Sequence, residues 1–209
     1  MNVLSAEFVK SASEPDGYPP PGAPEIAFCG RSNVGKSSCL NALAKRHALA
    51  RVSRTPGRTR LINFFDLRVC EPTRSGNRGR EHAVRFVDLP GYGYAAGPKA
   101  EKESWGGMIE RFLTGREPLR ALVVLVDGDL GPQDSDGQMI DWARSLPARL
   151  IVVATKLDKI ARTRRGQRLE NIAGRLKLSP ETVLGFSAKE LLGIDELWRA
   201  VVGAAEAGE

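Results

Sequence analysis

The chain has 209 residues, of which 42% are hydrophobic and 27% charged, so it is long enough for one domain with a sizeable core and is neither disordered nor fibrous in composition. Its 31 Lys and Arg against 25 Asp and Glu give a net charge of +6, a modest bias towards polyanionic partners that many soluble proteins share. No stretch approaches the ~18 consecutive apolar residues of a membrane span, and Met1 to Lys10 lacks the apolar run of a signal peptide, so a cytoplasmic protein without membrane contacts is expected.

Residues 1–24 read as an N-terminal arm, extended by Pro15, Pro19, Pro20, Pro21 and Pro24, and residues 25–209 as the domain. From Glu25 onward, short apolar runs alternate with amphipathic stretches. Strands are expected at 25–29, 61–70, 83–88, 120–126, 149–154 and 183–187. Continuous runs such as Leu122 to Val126 and Leu150 to Val153 fit parallel strands covered on both faces. Helices are expected at 36–47, 99–114, 133–145, 165–177 and 193–204. The last carries Ile194, Leu197, Trp198, Val201 and Val202 on one stripe, which reads as core packing. The polar connection 71–82 would join 61–70 and 83–88 as an antiparallel hairpin. The expected fold is α/β: a three-layer domain with a six-stranded, mostly parallel sheet, one antiparallel strand, and helices on both faces. Three cysteines (Cys29, Cys39, Cys70) without CxxC spacing argue against a disulfide frame or a zinc site; Cys29 lies in an apolar run and Cys39 in a helical one, and both are expected as buried thiols.

The chemistry begins at the first strand's end. Gly30-Arg31-Ser32-Asn33-Val34-Gly35-Lys36-Ser37 has the spacing of a phosphate loop between a strand and a helix. Its glycines let successive N–H groups point at phosphate oxygens, and the helix start adds positive potential. Lys36 supplies a point charge to the β- and γ-phosphates, and the Ser37 hydroxyl is a hard-oxygen ligand suited to Mg²⁺.

Asp88-Leu89-Pro90-Gly91 closes another apolar strand. An Asp there can hold Mg²⁺ through water, and Gly91 can offer its N–H to the γ-phosphate. Thr155-Lys156-Leu157-Asp158 selects the base: the Asp158 carboxylate accepts from the N1–H and exocyclic amine of guanine, where adenine would present a lone pair. A site built on such a bond rejects the wrong base by about 10⁴-fold. Lys156 can lie over the purine and tie back to the phosphate loop. Phe186-Ser187-Ala188 would bring a backbone N–H to the guanine oxygen. Between the first two motifs, Arg51 to Arg60 supplies two hydroxyls, Thr55 and Thr59, either of which spacing allows as a γ-phosphate and Mg²⁺ contact.

These residues, together with Thr55-Pro56-Gly57-Arg58-Thr59, Ile62-Asn63-Phe64-Phe65 and the long string Asp88 to Ala95, resemble the EngB (YihA/YsxC) family of bacterial ribosome-biogenesis GTPases, in the TrmE–Era–EngA-like group. The resemblance implies a GTP-binding protein with slow GTPase activity, cycling between GTP and GDP. It makes Thr59 the switch residue on Mg²⁺, beside Ser37 and with Asp88 acting through water, and puts Gly57, Arg58, Thr59, Arg60 and Leu61 close to the nucleotide. It implies the large ribosomal subunit and its RNA as partners, with roles in subunit assembly and in normal cell division and growth. A monomer without DNA binding is expected.

Tyr92 stands where Ras-like proteins place the Gln that orients attacking water. Asn33 matches the asparagine that related GTPases use as a K⁺ ligand, which makes K⁺ a further candidate cofactor. The residues expected at the chemistry are Lys36, Asn33, Thr59 and Gly91. Basic residues cluster at Arg51–Arg60, Arg74–Arg80 and Lys159–Arg168, where RNA phosphates could be met or where the residues simply face solvent. The alternative function is a GTP-gated RNA- or protein-binding module in which hydrolysis is incidental. An ATPase or small-molecule kinase is disfavoured by Thr155–Asp158. Cys39 and the long basic connection 71–82 depart from the family pattern at positions that touch no nucleotide.

Overall fold

The structure, a computed structural model, describes residues 1–46, 49–50, 61–73, 79–92 and 99–207, with the side chains of 99–105 excepted. The expected Thr55, Gly57, Arg58, Thr59 and Arg60 lie outside the described residues, as do Arg51, Arg54 and Arg74–Arg78 of the basic clusters.

Among the described residues, seven strands make one sheet: β1 (Asn2–Ala12), β2 (Glu25–Gly30), β3 (Ile62–Cys70), β4 (Glu81–Asp88), β5 (Leu119–Asp127), β6 (Arg149–Thr155) and β7 (Val183–Gly185). Their order is β1-β3-β4-β2-β5-β6-β7. The β2, β4, β5, β6 and β7 pairings are parallel, whereas β3 pairs antiparallel with both β4 and β1. β3 is therefore the single strand that runs against the others, as expected from the hairpin.

The strand count differs from expectation by one. Residues 2–12, assigned from sequence to the arm, are a full edge strand. Two β-bulges, between Val3 and Ser5 and between Phe8 and Lys10, break the alternation that would have revealed it. Such bulges also twist an edge away from further pairing. The Pro-rich stretch is likewise packed: the Tyr18 ring meets Phe64 and Phe112 at centroid distances of 5.6 and 5.4 Å.

The helices are α1 (Lys36–Leu43), α2 (Lys99–Gly115), α3 (Asp134–Ala143), α4 (Arg165–Arg175) and α5 (Ile194–Glu206). Alternation in the central strands divides the core. Ile26, Phe28, Val123 and Leu125 face α1 and α5 with Leu40, Leu43, Leu197, Trp198 and Val201. Ala27, Cys29, Leu122 and Val124 face α2, α3 and α4 with Phe112, Ile140 and Ile172. Trp198 stacks on Phe86 at 5.3 Å and donates its indole N–H to the Leu43 carbonyl, so the α5 stripe is core, as read. All three cysteines are buried.

A charged cluster is sunk at the base of the sheet. The Glu25 carboxylate, fully buried, receives Arg116 Nε (2.8 Å) and Nη2 (2.5 Å) and Arg85 Nη1 (3.4 Å). The same arginines donate to the carbonyls of Pro19 and Pro20, fastening the Pro-rich stretch to the strand ends. A buried carboxylate with two cationic partners is compensated, and loss of either partner would strand it.

Candidate nucleotide site

In an open parallel sheet, ligands bind beyond the carboxyl ends of the strands, where the order reverses. Here the reversal is at β2, which has β4 on one side and β5 on the other. The loops after β2, β4, β5, β6 and β7 all open on that edge, and they carry the motifs read from sequence.

The loop after β2 is shaped by special backbone positions. Asn33 (φ 63°) and Gly35 (φ 104°) are left-handed. At Gly30 a Cβ would lie 2.8 Å from Val34 Cγ1 and 2.9 Å from the Leu125 carbonyl, so only glycine fits. Val34 N–H closes the turn onto Arg31 O at 3.1 Å. The first helical bond of α1 runs from Cys39 N to Gly35 O, which leaves the N–H groups of Lys36, Ser37 and Ser38 at the helix mouth. The sequence can therefore build an anion cradle of backbone donors with the Ser37 hydroxyl in its first turn.

The segment after β4 is laced to this loop. Tyr92 N–H donates to Gly30 O (3.1 Å) and Ser32 N–H to Tyr92 O (3.3 Å). A Cβ on Gly91 would sit 3.2 Å from Gly30 O and from Ser32 N, a tight fit that would press the two segments a few tenths of an ångström apart. Lys36 Nζ forms an ion pair with Asp88 Oδ1, both side chains being about nine-tenths buried. Leu89 and Pro90 are buried, fixing the turn beneath them.

Tyr92 is 7% exposed and donates its hydroxyl to Asp136 at the start of α3. Burial pushes the Tyr92 hydroxyl's pKa up, and burial likewise raises that of Asp136. The side chain at 92 is thus built into the core and faces α3, away from any role like that of the Ras Gln.

The guanine motif follows β6. The Thr155 hydroxyl donates to Val34 O (2.6 Å) and lies 3.1 Å from Val126 O. Lys156, left-handed at φ 59°, sends Nζ to Asn33 O (2.7 Å), the tie to the phosphate loop expected from sequence. The same ammonium bonds Asp127 Oδ2 at 2.6 Å. Leu157 is buried, and its N–H donates to Phe186 O. Asp158 Oδ1 receives the Ser187 hydroxyl at 2.7 Å, and Ser187 Oγ in turn receives Glu190 N–H. Phe186 and Ser187 use their own N–H groups on Ala154 O and Leu192 O. Of that triplet, only Ala188 N–H finds no acceptor among the described residues, so it is the one available to a base oxygen.

Asp127 and Gly128 were missed from sequence, and Arg168 was read only as part of a basic cluster. Asp127 Oδ1 accepts from the N–H groups of Asp129 and Leu130, and its other oxygen holds Lys156. Gly128 N–H donates to Thr155 O so closely that a Cβ would lie 2.3 Å from that oxygen. Arg168 clamps the same loop through Gly128 O and Asp129 O, at 2.6 and 2.5 Å. The available signal was an Asp-Gly step at the end of an apolar strand on the site edge. The third basic cluster is accordingly divided: Lys159 pairs with Asp129, Arg165 with Glu190, and Arg168 with the loop, while Arg162 and Arg164 are exposed. Leu61, just before β3, is 42% exposed.

Ser37 and Asp88 suit Mg²⁺ in kind, as hard oxygens beside a phosphate cradle that can complete the coordination. Asn33 is exposed, and its left-handed backbone by itself explains an asparagine in the turn.

A family model described as "50S ribosome-binding GTPase" matches residues 25–156. Proteins named "Probable GTP-binding protein EngB" from Anaeromyxobacter sp. (strain Fw109-5) and Myxococcus xanthus are 47% and 46% identical, over 98% and 97% of this chain and 93% and 95% of theirs. The protein of the same name from Trichlorobacter lovleyi is 45% identical over 99% of this chain and 98% of its own. The crystal structure of a probable GTP-binding protein engB matches with a TM-score of 0.64 at 24% identity, covering 88% of this chain and 99% of that one. Era in complex with MgGDPNP and a segment of 16S ribosomal RNA gives 0.64 at 23% identity, covering 87% and 56%. Among the described residues no helix is long and apolar enough to cross a membrane. The structural matches speak for the fold alone; by the family model and the full-length sequence relatives, the chain belongs to the EngB family of P-loop GTPases.

Proposed function

We propose that this GTPase binds GTP at the five-loop edge, hydrolyses it slowly, and uses the cycle in assembly of the large ribosomal subunit, supporting growth and cell division from the cytoplasm as a monomer. The observation that carries the nucleotide reading is the joint made by Lys156, which ties the guanine motif to the phosphate loop through Asn33 O and to β5 through Asp127. It sets base recognition by Asp158 and phosphate binding by Lys36 in one frame.

In this reading the N–H groups of Gly35 to Ser38 and the Lys36 ammonium hold the phosphates, and Gly91 N–H meets the γ-phosphate. Ser37 and Thr59, with Asp88 through water, hold Mg²⁺, which when bound neutralises phosphate charge. Asp158 and Ala188 N–H read guanine. Tyr92, turned to Asp136, leaves no amide for the attacking water, which supports a slow intrinsic rate. The Asn33 side chain would be the ligand for a K⁺ ion, which when bound would supply the missing charge. Turnover in K⁺ should exceed that in Na⁺, and Asn33→Ala should abolish the difference; equal rates in both salts for the wild type would remove K⁺ from the mechanism.

The matching family's description and Era's ribosomal RNA complex support a ribosomal partner. Exposed Arg162 and Arg164 and the Arg51–Arg60 segment are the candidate phosphate contacts. Co-sedimentation tests it: GTP-loaded protein should travel with large subunits better than GDP-loaded protein, and more so at low salt. Equal association in both states contradicts the switch. A hydrolysis-blocked variant that still supports subunit maturation would favour the GTP-gated binding module instead.

A further inference from the structure

Ser11, Asn63 and Asp88 are direct cross-strand neighbours, since the register pairs Ser11 with Asn63 and Asn63 with Asp88. Opposed residues of antiparallel strands share a face. The three therefore make a polar row across β1, β3 and β4, at the edge where the site loops emerge.

The bonds along the row have one direction. Ser11 Oγ donates to Asn63 Oδ1 at 2.6 Å, and Asn63 Nδ2 donates to Asp88 Oδ2 at 3.4 Å. Lys36 Nζ donates to the other oxygen, Oδ1. A carboxylate can only accept, so the Asn63 amide has to turn its NH₂ to Asp88. The Ser11 hydroxyl then holds the amide oxygen and keeps it from flipping. Asp88, 5% exposed, thus has one donor on each oxygen and little freedom to rotate.

We infer that Asn63 is a positioning residue for the metal-facing carboxylate: with Ser11 behind it, it sets the orientation in which Asp88 meets the Mg²⁺ water shell. The edge strand β1 becomes part of the metal site's support. The inference rests on the reading of Asp88 as a water-mediated Mg²⁺ residue. Partners of metal ligands orient them in this way, and their loss typically costs about 10–100-fold in metal affinity.

The test is the rate of release of a fluorescent GDP analogue as Mg²⁺ is titrated, in the wild type, Asn63→Ala and Ser11→Ala. Wild-type release should slow with Mg²⁺. Asn63→Ala should raise the Mg²⁺ concentration of half effect by about tenfold while changing release in EDTA by less than about twofold. Ser11→Ala should move the midpoint the same way by about threefold. A residue that only supports the fold would shift release with and without metal alike, and that result, or an unmoved midpoint, overturns the inference. Should Asn63→Ala fail to fold, Ser11→Ala carries the test by the same criteria. A wild type indifferent to Mg²⁺ would instead remove the metal reading of Asp88, and the inference with it.

Discussion

The Tyr92 hydroxyl donates to Asp136 Oδ1 at 3.0 Å, joining the residue after Gly91 to the first turn of α3 inside the core. Asp136 Oδ2 accepts from Gln133 N–H in the cap of that helix, so both oxygens are held. Tyr92→Phe would leave a buried acceptor without its donor. The expected loss is about 1–3 kcal/mol, read as a lower urea midpoint. A midpoint equal to wild type would mean that the bond contributes nothing net.

The same pair carries a pH dependence. Burial raises the Asp136 pKa in the folded protein above its unfolded value. The folded state then holds the proton more tightly, so this group's contribution is full below the unfolded carboxylate range and is lost as pH rises through the folded value. Asp136→Asn should flatten that part of the stability profile, from the ordinary carboxylate range upward. Denaturation midpoints across that range measure it, and an unchanged slope would place the dependence elsewhere.

Asp127 and Lys156 should act as a unit. Asp127→Asn loosens the ammonium that braces Asn33 O, and a hydrogen bond to a charged group contributes about 1.5–3 kcal/mol. Guanine-nucleotide affinity should fall by about tenfold to a hundredfold. In a double-mutant cycle with Lys156→Met, the second change should add little to the first. Additive losses would show that the two residues act separately.

Base choice should follow Asp158 and, at one remove, Ser187. Asp158→Asn should turn preference from guanosine towards xanthosine nucleotides, because the amide donates where the carboxylate accepted. Ser187→Ala frees the carboxylate to rotate and should weaken GDP by about tenfold without changing which base is preferred. Competition binding with the two nucleotides distinguishes these outcomes.

Burial pushes the Cys29 thiol up to about 12 and raises that of Cys39 as well. Thiolate is the reactive species, so at about pH 8 only about one Cys29 in ten thousand is poised to react. Thiol labelling of the native protein should be slow and should track unfolding. Rapid labelling of Cys29 or Cys39 would contradict their placement.

Much of this was legible in the residues. The central strands, β2, β5 and β6, announce themselves because both faces are covered and nearly every position is apolar. The phosphate loop and Thr155–Asp158 are legible for a different reason: their spacing is set by phosphate and base geometry. β1 was hidden, since its bulges shift the side-chain phase twice within eleven residues. Asp127 and Asn63 were hidden because their roles lie in partners brought from 29 and 25 residues away by the sheet order. Ser187 was found for its backbone, whereas its hydroxyl, pointed at Asp158, proved the more specific contact.

The strand order has a consequence for synthesis. β2, which leads into the phosphate loop, has both of its neighbours, β4 and β5, later in the chain, and Ser187, which steadies Asp158, comes later still. At about 5–20 residues per second, the loop at 30–37 exists for roughly eight to thirty seconds before its last companion is made. The frame around the phosphate loop is therefore complete only once Ser187 has been made, well after the loop itself.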